Sequence, residues 1–256
     1  MDAASTTYPR LLALGDAAWI VEFGSVIDEP THARVMGLAQ ALAEAKLRGQ
    51  WGDVVEWVPA YTTLTLHFAV SGDADAALEA ADALLALARD AAPLSQPGRR
   101  WRLPVCFDAE FAPDLDELTA ARGLAREQVI ALMTGTAFRV YMLGFQPGFP
   151  YMGGLPAALE RPRRATPRTV VPERSLAVAG RMCAVYPWRS PGGWHLLGRT
   201  PLALFDAASG DPAWLHPGDE VRWVAIERPR FDALEKACAA GAVQREAWAD
   251  AQGSSP

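Results

Sequence analysis

Gly144-Phe145-Gln146-Pro147-Gly148-Phe149-Pro150-Tyr151-Met152-Gly153-Gly154-Leu155 opens the stretch that decides the fold, and Ser190-Pro191-Gly192-Gly193-Trp194-His195-Leu196-Leu197-Gly198-Arg199-Thr200-Pro201 closes it. Glycine frees the backbone for close approach and positive φ, whereas proline fixes φ and removes a donor, so this density of both describes loops held in set shapes. Between and around these loops lie only short β-branched or aromatic runs, at residues 138–143, 176–179, 183–186, 194–197 and 220–226. Short strands at close spacing with Gly/Pro turns predict a closed or nearly closed β-barrel, because closure removes exposed edges.

Upstream of the barrel, residues 101–107 predict a strand whose Pro104 places it at an edge or marks its end. Two short helices follow, over 114–121 and 126–133, separated by Gly123. Residues 18–23, 54–58 and 64–69 predict strands, with helices at 28–45 (Val35, Leu38, Leu42 and Ala45 on one face) and, after a turn at Ser71-Gly72-Asp73, along the alanine-rich stretch to Asp90 (Leu78, Ala81, Leu84, Leu85 and Ala88). The expected fold class is therefore α+β. A small α+β domain over 1–92, with helices on one face of an antiparallel sheet, leads through a linker at 93–99 to a barrel domain with flanking helices over 100–256. A last helix after Pro229 carries Phe231, Leu234 and Cys238 on one face.

With 256 residues, half of them hydrophobic, the chain can bury a core in each of two domains. A net charge of −6 argues against a general nucleic-acid or anionic-membrane binder. Cys106, Cys183 and Cys238 are odd in number and far apart, which predicts neither a disulfide framework nor a metal site. The N-terminal residues do not read as a signal peptide and no apolar run is long enough to span a bilayer, so the expectation is a cytoplasmic protein. The chain lacks the phosphate-loop, dinucleotide, zinc-protease and nucleophile-elbow motifs.

Candidate site residues come from the Gly/Pro loops. Arg163, Arg164 and Arg168 lie among Pro162 and Pro167 in a segment too stiff for a freely solvated basic run, and read either as a surface cluster or as forks for phosphate or carboxylate. His195 sits four residues before Arg199, so both share one face of a strand that stays regular that far; it reads either as a filler or as a site residue whose imidazole can donate to a developing oxyanion or move a proton. Tyr151 is either a core filler or a stacking face. Gly148, Gly153, Gly154, Gly192 and Gly193 are either barrel corners or amides of an anion nest.

These motifs, with Pro162-Arg163-Arg164-Ala165-Thr166-Pro167-Arg168, Leu14-Gly15-Asp16, Val58-Pro59-Ala60-Tyr61 and Ala112-Pro113-Asp114-Leu115, resemble the family of 5-oxoprolinase B-type subunits, also called allophanate hydrolase subunit 1 or sporulation-kinase inhibitor. The resemblance implies a cyclophilin-like β-barrel, a homologous barrel partner (the 5-oxoprolinase C-type subunit) and a third subunit. Together these open 5-oxoproline to glutamate with ATP and Mg²⁺ as co-substrate. For that reaction Arg163, Arg164, Arg168 and Arg199 are expected to stabilise phosphoryl charge, with His195 and Tyr151 on the substrate side. Two further activities are implied by the same likeness: inhibition of a sensor histidine kinase, and carboxyl transfer onto urea- or allophanate-like amides. The chain departs from the family's Val-Pro-x-Gly-Ser at Arg174, and has Met133 where a histidine is common and Phe107-Asp108-Ala109 where Tyr-Gly-Gly is usual.

Overall fold

The computed structural model describes residues 7–69, 75–95 and 98–250, with backbone alone for 75–77. The chain divides into two compact units between residues 96 and 97, a point outside the described residues along with the turn expected at 71–73.

In the first unit, β1 (Arg10–Ala13), β2 (Ala18–Glu22), β3 (Val54–Ala60) and β4 (Thr63–Phe68) form an antiparallel sheet in the order β1-β2-β4-β3. Helix α1 (Glu29–Leu47) starts where the Asp28 carboxylate accepts the Thr31 amide at 2.8 Å, satisfying one of the helix's orphan donors. Alternation in β4 buries Leu64, Leu66 and Phe68 against Val35, Leu38 and Leu42 of α1 and Leu84 and Ala88 of α2 (Asp75–Asp90). Leu78, expected on that face, is 66 % exposed, so the buried stripe of α2 starts later than the apolar spacing indicates.

The second unit holds the quoted loops. Its elements are β5 (Arg100–Val105), α3 (Leu115–Arg122), α4 (Arg126–Gly135), β6 (Ala137–Leu143), β7 (Pro150–Gly153), β8 (Arg168–Val171), β9 (Ser175–Ala179), β10 (Met182–Val185), β11 (Ser190–Gly192), β12 (His195–Arg199), β13 (Glu220–Ala225) and α5 (Arg228–Ala239). Seven strands make one sheet in the order β12-β9-β10-β7-β6-β13-β5, antiparallel except for the parallel β13–β5 pair. The sheet curls until its two edge strands meet: Cys106 and Arg199 exchange backbone hydrogen bonds of 2.9 Å each way. Pro104 is tolerated because β5 is an edge strand. β8 and β11 form a separate two-stranded ribbon.

Alternating residues give the curled sheet two apolar faces. Leu103, Val105, Phe138, Val140, Val178 and Leu197 belong to the larger cluster, which α3 and α4 join through Leu115, Leu118, Val129 and Met133. Phe149, Ala177, Tyr186, Trp194 and Leu196 belong to the smaller, together with Val171 of the ribbon. β1, β7, β8 and β11 were not among the expected strands: each spans only three or four residues, and β7 and β11 carry the glycine and proline that read as turn.

At Arg174 the backbone has φ +63, so the turn does take the left-handed form that glycine favours. An L-residue there costs about 1–2 kcal/mol. Its guanidinium recovers contacts with Glu235 at 2.7 Å and the Pro201 carbonyl at 3.0 Å.

Candidate functional site

The charged centre beside β12 is organised by Asp114, which was not among the expected site residues. Asp114 precedes α3 but caps nothing; its carboxylate turns away from the helix amides and lies buried. Oδ1 accepts from Arg168 Nη2 at 2.5 Å and Arg164 Nη1 at 3.1 Å, while Oδ2 accepts the Leu196 amide at 2.6 Å. In return the Asp114 amide donates to the Leu196 carbonyl at 3.2 Å, so the start of α3 is clamped to β12. Glu117, one turn along α3, takes Arg161 at 2.9 Å. The stiff basic loop is thereby laid against α3, and the Arg164 amide fixes its other side by donating to Gly193 O at 2.8 Å.

Arg164 and Arg168 are therefore neither free surface charges nor idle anion forks; both are committed to one buried carboxylate. Arg163, immediately before Arg164 in sequence, is exposed and has no ion pair among the described residues. A signal for Asp114 was present: a basic loop without acids of its own needs an acid from elsewhere, and Pro113-Asp114 supplies one at a helix start.

His195 is buried, with Nε2 3.0 Å from the Pro162 carbonyl. A carbonyl only accepts, so Nε2 donates to it, and Nδ1 has no hydrogen-bond partner among the described residues. The imidazole thus holds the basic loop as well as lying near its acids. Asp114, Glu117 and His195 bring ligand-type atoms within 4.8 Å of one another, but three guanidiniums already neutralise the two carboxylates and compete with any cation.

The expectation that His195 and Arg199 share a face is corrected by the register. His195 pairs with Val178 and Arg199 with Ser175, an odd separation, because β12 bulges between Leu196 and Gly198. The extra residue sends the two side chains to opposite faces. Arg199 instead faces a cleft of about 330 Å³, also lined by Arg168 and by Phe111, Val170, Pro172 and Leu196. Its Nε donates to the Glu173 carbonyl at 3.0 Å and its guanidinium lies 5.6 Å from the centre of the Phe111 ring. Arg199 has no carboxylate partner among the described residues, and burial, with the neighbouring Arg174 charge, lowers its pKa.

Tyr151 belongs to an aromatic cluster, its ring 4.8 Å from Phe149 and 5.9 Å from Trp194. Burial raises the pKa of the Tyr151 hydroxyl, and the Arg163 charge opposes that shift.

None of the five expected glycines lines the cleft among the described residues. Gly148 and Gly154 have positive φ, as turns require. Gly153 packs under the Tyr141 ring, and Gly192 lies where an added Cβ would sit 2.3 Å from the Tyr186 hydroxyl. At Gly193 the nearest atom would be 3.7 Å away, an ordinary contact. Gly192→Ala is therefore expected to cost about 1–3 kcal/mol by overpacking, and Gly193→Ala less than about 0.5 kcal/mol. Urea denaturation of the two variants checks the contrast; equal losses would remove packing as the reason for Gly192.

A model of the carboxyltransferase domain, subdomain C and D, matches residues 9–215. The 5-oxoprolinase B-type subunit of Bacillus subtilis (strain 168) is 35% identical over 234 residues, covering 87% of this chain and 95% of that protein. Its counterpart of the same name in Escherichia coli O157:H7 is 36% identical over 215 residues, covering 84% of this chain and 95% of its own. Among solved structures, TTHA0988 is similar at TM-score 0.69 and 35% identity over 83% of this chain, which spans only 40% of that longer protein. The urea carboxylase of Kluyveromyces lactis shares the fold at TM-score 0.69 and 20% identity, over 91% of this chain and 23% of its own. Matches of this extent and identity make the chain a member of the carboxyltransferase subdomain C and D family and, within it, of the 5-oxoprolinase B-type subunits.

Proposed function

We propose that this chain is the B-type subunit of an ATP-dependent 5-oxoprolinase, inactive alone, whose second unit is a cyclophilin-like barrel completed by a homologous C-type barrel subunit and a third subunit. The observation that carries this reading is the 35–36% identity to proteins of that name, each covered over 95% of its length. The assembly is expected in the cytoplasm, and no helix among the described residues is long and apolar enough to cross a membrane.

The chemical task is opening an unactivated lactam. Amide resonance makes direct attack by water slow, so phosphorylating the amide oxygen with ATP turns it into a leaving group, and Mg²⁺ accompanies the nucleotide as part of that co-substrate. Phosphoryl transfer is catalysed mainly by positioning and charge stabilisation. With Arg164 and Arg168 held by Asp114, the cations left for ligand are Arg163 and Arg199. Asp114 and His195 serve by fixing the loop that carries Arg163. The test is 5-oxoproline-dependent ADP release by the purified chain with and without homologues of its barrel partner and of the third subunit; absence of turnover in the complete assembly would sink the reading.

A surface suited to a partner supports the dependence on other subunits. Phe145, with φ +66, exposes 63 % of its surface, and Trp188, whose indole donates to Pro147 O of the same loop at 3.2 Å, exposes 43 %. Large aromatics dominate binding at interface centres, by about 2 kcal/mol or more each. Phe145→Asp with Trp188→Asp is expected to weaken binding of the barrel partner at least about 100-fold without lowering the melting temperature. Unchanged affinity in a pull-down and calorimetric titration would move the interface elsewhere.

A further inference from the structure

We propose that the cleft between β8, β9 and β12 binds a small ring-bearing monocarboxylate, with Arg199 as the residue that takes the carboxylate. Among the cations around it, Arg168 is committed to Asp114 and Arg174 to Glu235, whereas Arg199 has only the Glu173 carbonyl on Nε and no partner on its two terminal nitrogens among the described residues. A guanidinium presents its remaining N–H groups as a planar fork, which matches the two oxygens of a carboxylate. Its position is fixed from two sides, by that carbonyl and by the Phe111 ring beneath it, so little freedom is lost when a ligand arrives.

The walls distinguish a carboxylate on a ring from a polyphosphate. Phe111, Val170, Pro172 and Leu196 make the cleft largely apolar away from Arg199, and its volume of about 330 Å³ suits a small molecule. Glu110 stands at the rim, its carboxylate already paired with Arg228, so the cleft offers one unpaired cation rather than the several that a triphosphate needs. A single negative charge attached to a compact apolar ring fits that balance. Naming the ring as a five-membered lactam rests on the 5-oxoprolinase reading; the charge and apolar complementarity do not.

The binding experiment uses the full chain alone in calorimetric titration, with 5-oxoproline, 2-pyrrolidinone (the same ring without its carboxylate) and inorganic phosphate as probes. Saturable binding of 5-oxoproline is expected, with none of 2-pyrrolidinone and weaker binding of phosphate. Arg199→Gln is expected to weaken 5-oxoproline binding at least about tenfold, the loss of a charge-assisted hydrogen bond, with an unchanged circular-dichroism spectrum. Val170→Asp places a negative charge on an exposed position of the cleft and is expected to weaken binding too, which keeps the test decisive if the Arg199 variant folds poorly. No saturable binding of 5-oxoproline, equal binding of 2-pyrrolidinone or of phosphate, or unchanged affinity in both variants would overturn the proposal. Arg199-dependent binding in a chain whose complete assembly shows no turnover would support the cleft and refute the enzymatic reading; turnover with an unchanged KM in Arg199→Gln would do the reverse.

Discussion

Asp114→Ala is expected to destabilise the barrel unit by about 3–5 kcal/mol, the usual loss when one partner of a buried ionic cluster is removed. The carboxylate is 3% exposed, whereas Arg164 and Arg168 are 29% and 23% exposed at their side chains, so the acid is the member that water cannot replace. Removing it leaves two guanidiniums facing each other without their shared anion, and leaves the Leu196 amide of β12 without its side-chain acceptor. Asp114→Asn keeps an oxygen for that amide but loses the charge, and is expected to fall between wild type and alanine. Urea denaturation followed by circular dichroism reads both. A loss below about 1 kcal/mol in the alanine variant, the scale of an exposed pair, would show that solvent carries the cluster. Because Arg168 also lines the cleft, the same variant separates placement from charge: free of Asp114, Arg168 becomes a second cation for a ligand, and phosphate binding is expected to rise in those molecules that remain folded.

The difference between Arg168 and Arg199 shows which parts of the site a sequence can carry. Every strand of five or more residues was legible from its apolar, aromatic and β-branched residues, and the Gly/Pro stretches marked the breaks between them. The loops did not reveal β8 and β11, whose three or four residues contain too little periodicity to set a face. The position of Arg199 was read from an unbroken alternation through Trp194-His195-Leu196-Leu197-Gly198-Arg199, and one bulge reverses it. A bulge is a backbone event chosen by the neighbouring strand, here where Gly198 lets the Cys106 carbonyl approach; a Cβ at that position would lie 2.9 Å from it. That contact depends on the curl of the whole sheet, which no local window contains. Asp114 was signalled only indirectly, for a related reason. Its sequence neighbours describe a helix start, and only the return of the chain as β12, some eighty residues later, gives its carboxylate something else to bind.

At the other end of the same sheet, Asp219→Ala is expected to cost about 3–5 kcal/mol, by orphaning donors at about 1–3 kcal/mol apiece with partial relaxation. Asp219 is buried; Oδ1 accepts the Arg99 amide at 2.8 Å, and Oδ2 accepts the Trp101 indole at 2.9 Å and the His216 amide at 3.0 Å. Those groups lie at or just before the starts of β5 and β13, so one carboxylate sets the start of the parallel pair and the register of the edge strand β5. Asp114 does the equivalent for the opposite edge, β12, and the two edges then meet through Cys106 and Arg199. The two acids share no partner, so their losses are expected to add within about 0.5 kcal/mol if each edge is held separately. If both instead act by bringing the edges together at Cys106 and Arg199, the second substitution costs less than the first, since the seam is already open. Equilibrium unfolding of the single and double variants decides between these, and Arg199 provides the functional reading: a sub-additive pair predicts that Asp219→Ala, remote in sequence from every cleft residue, also weakens binding of 5-oxoproline by displacing the strand end that carries Arg199.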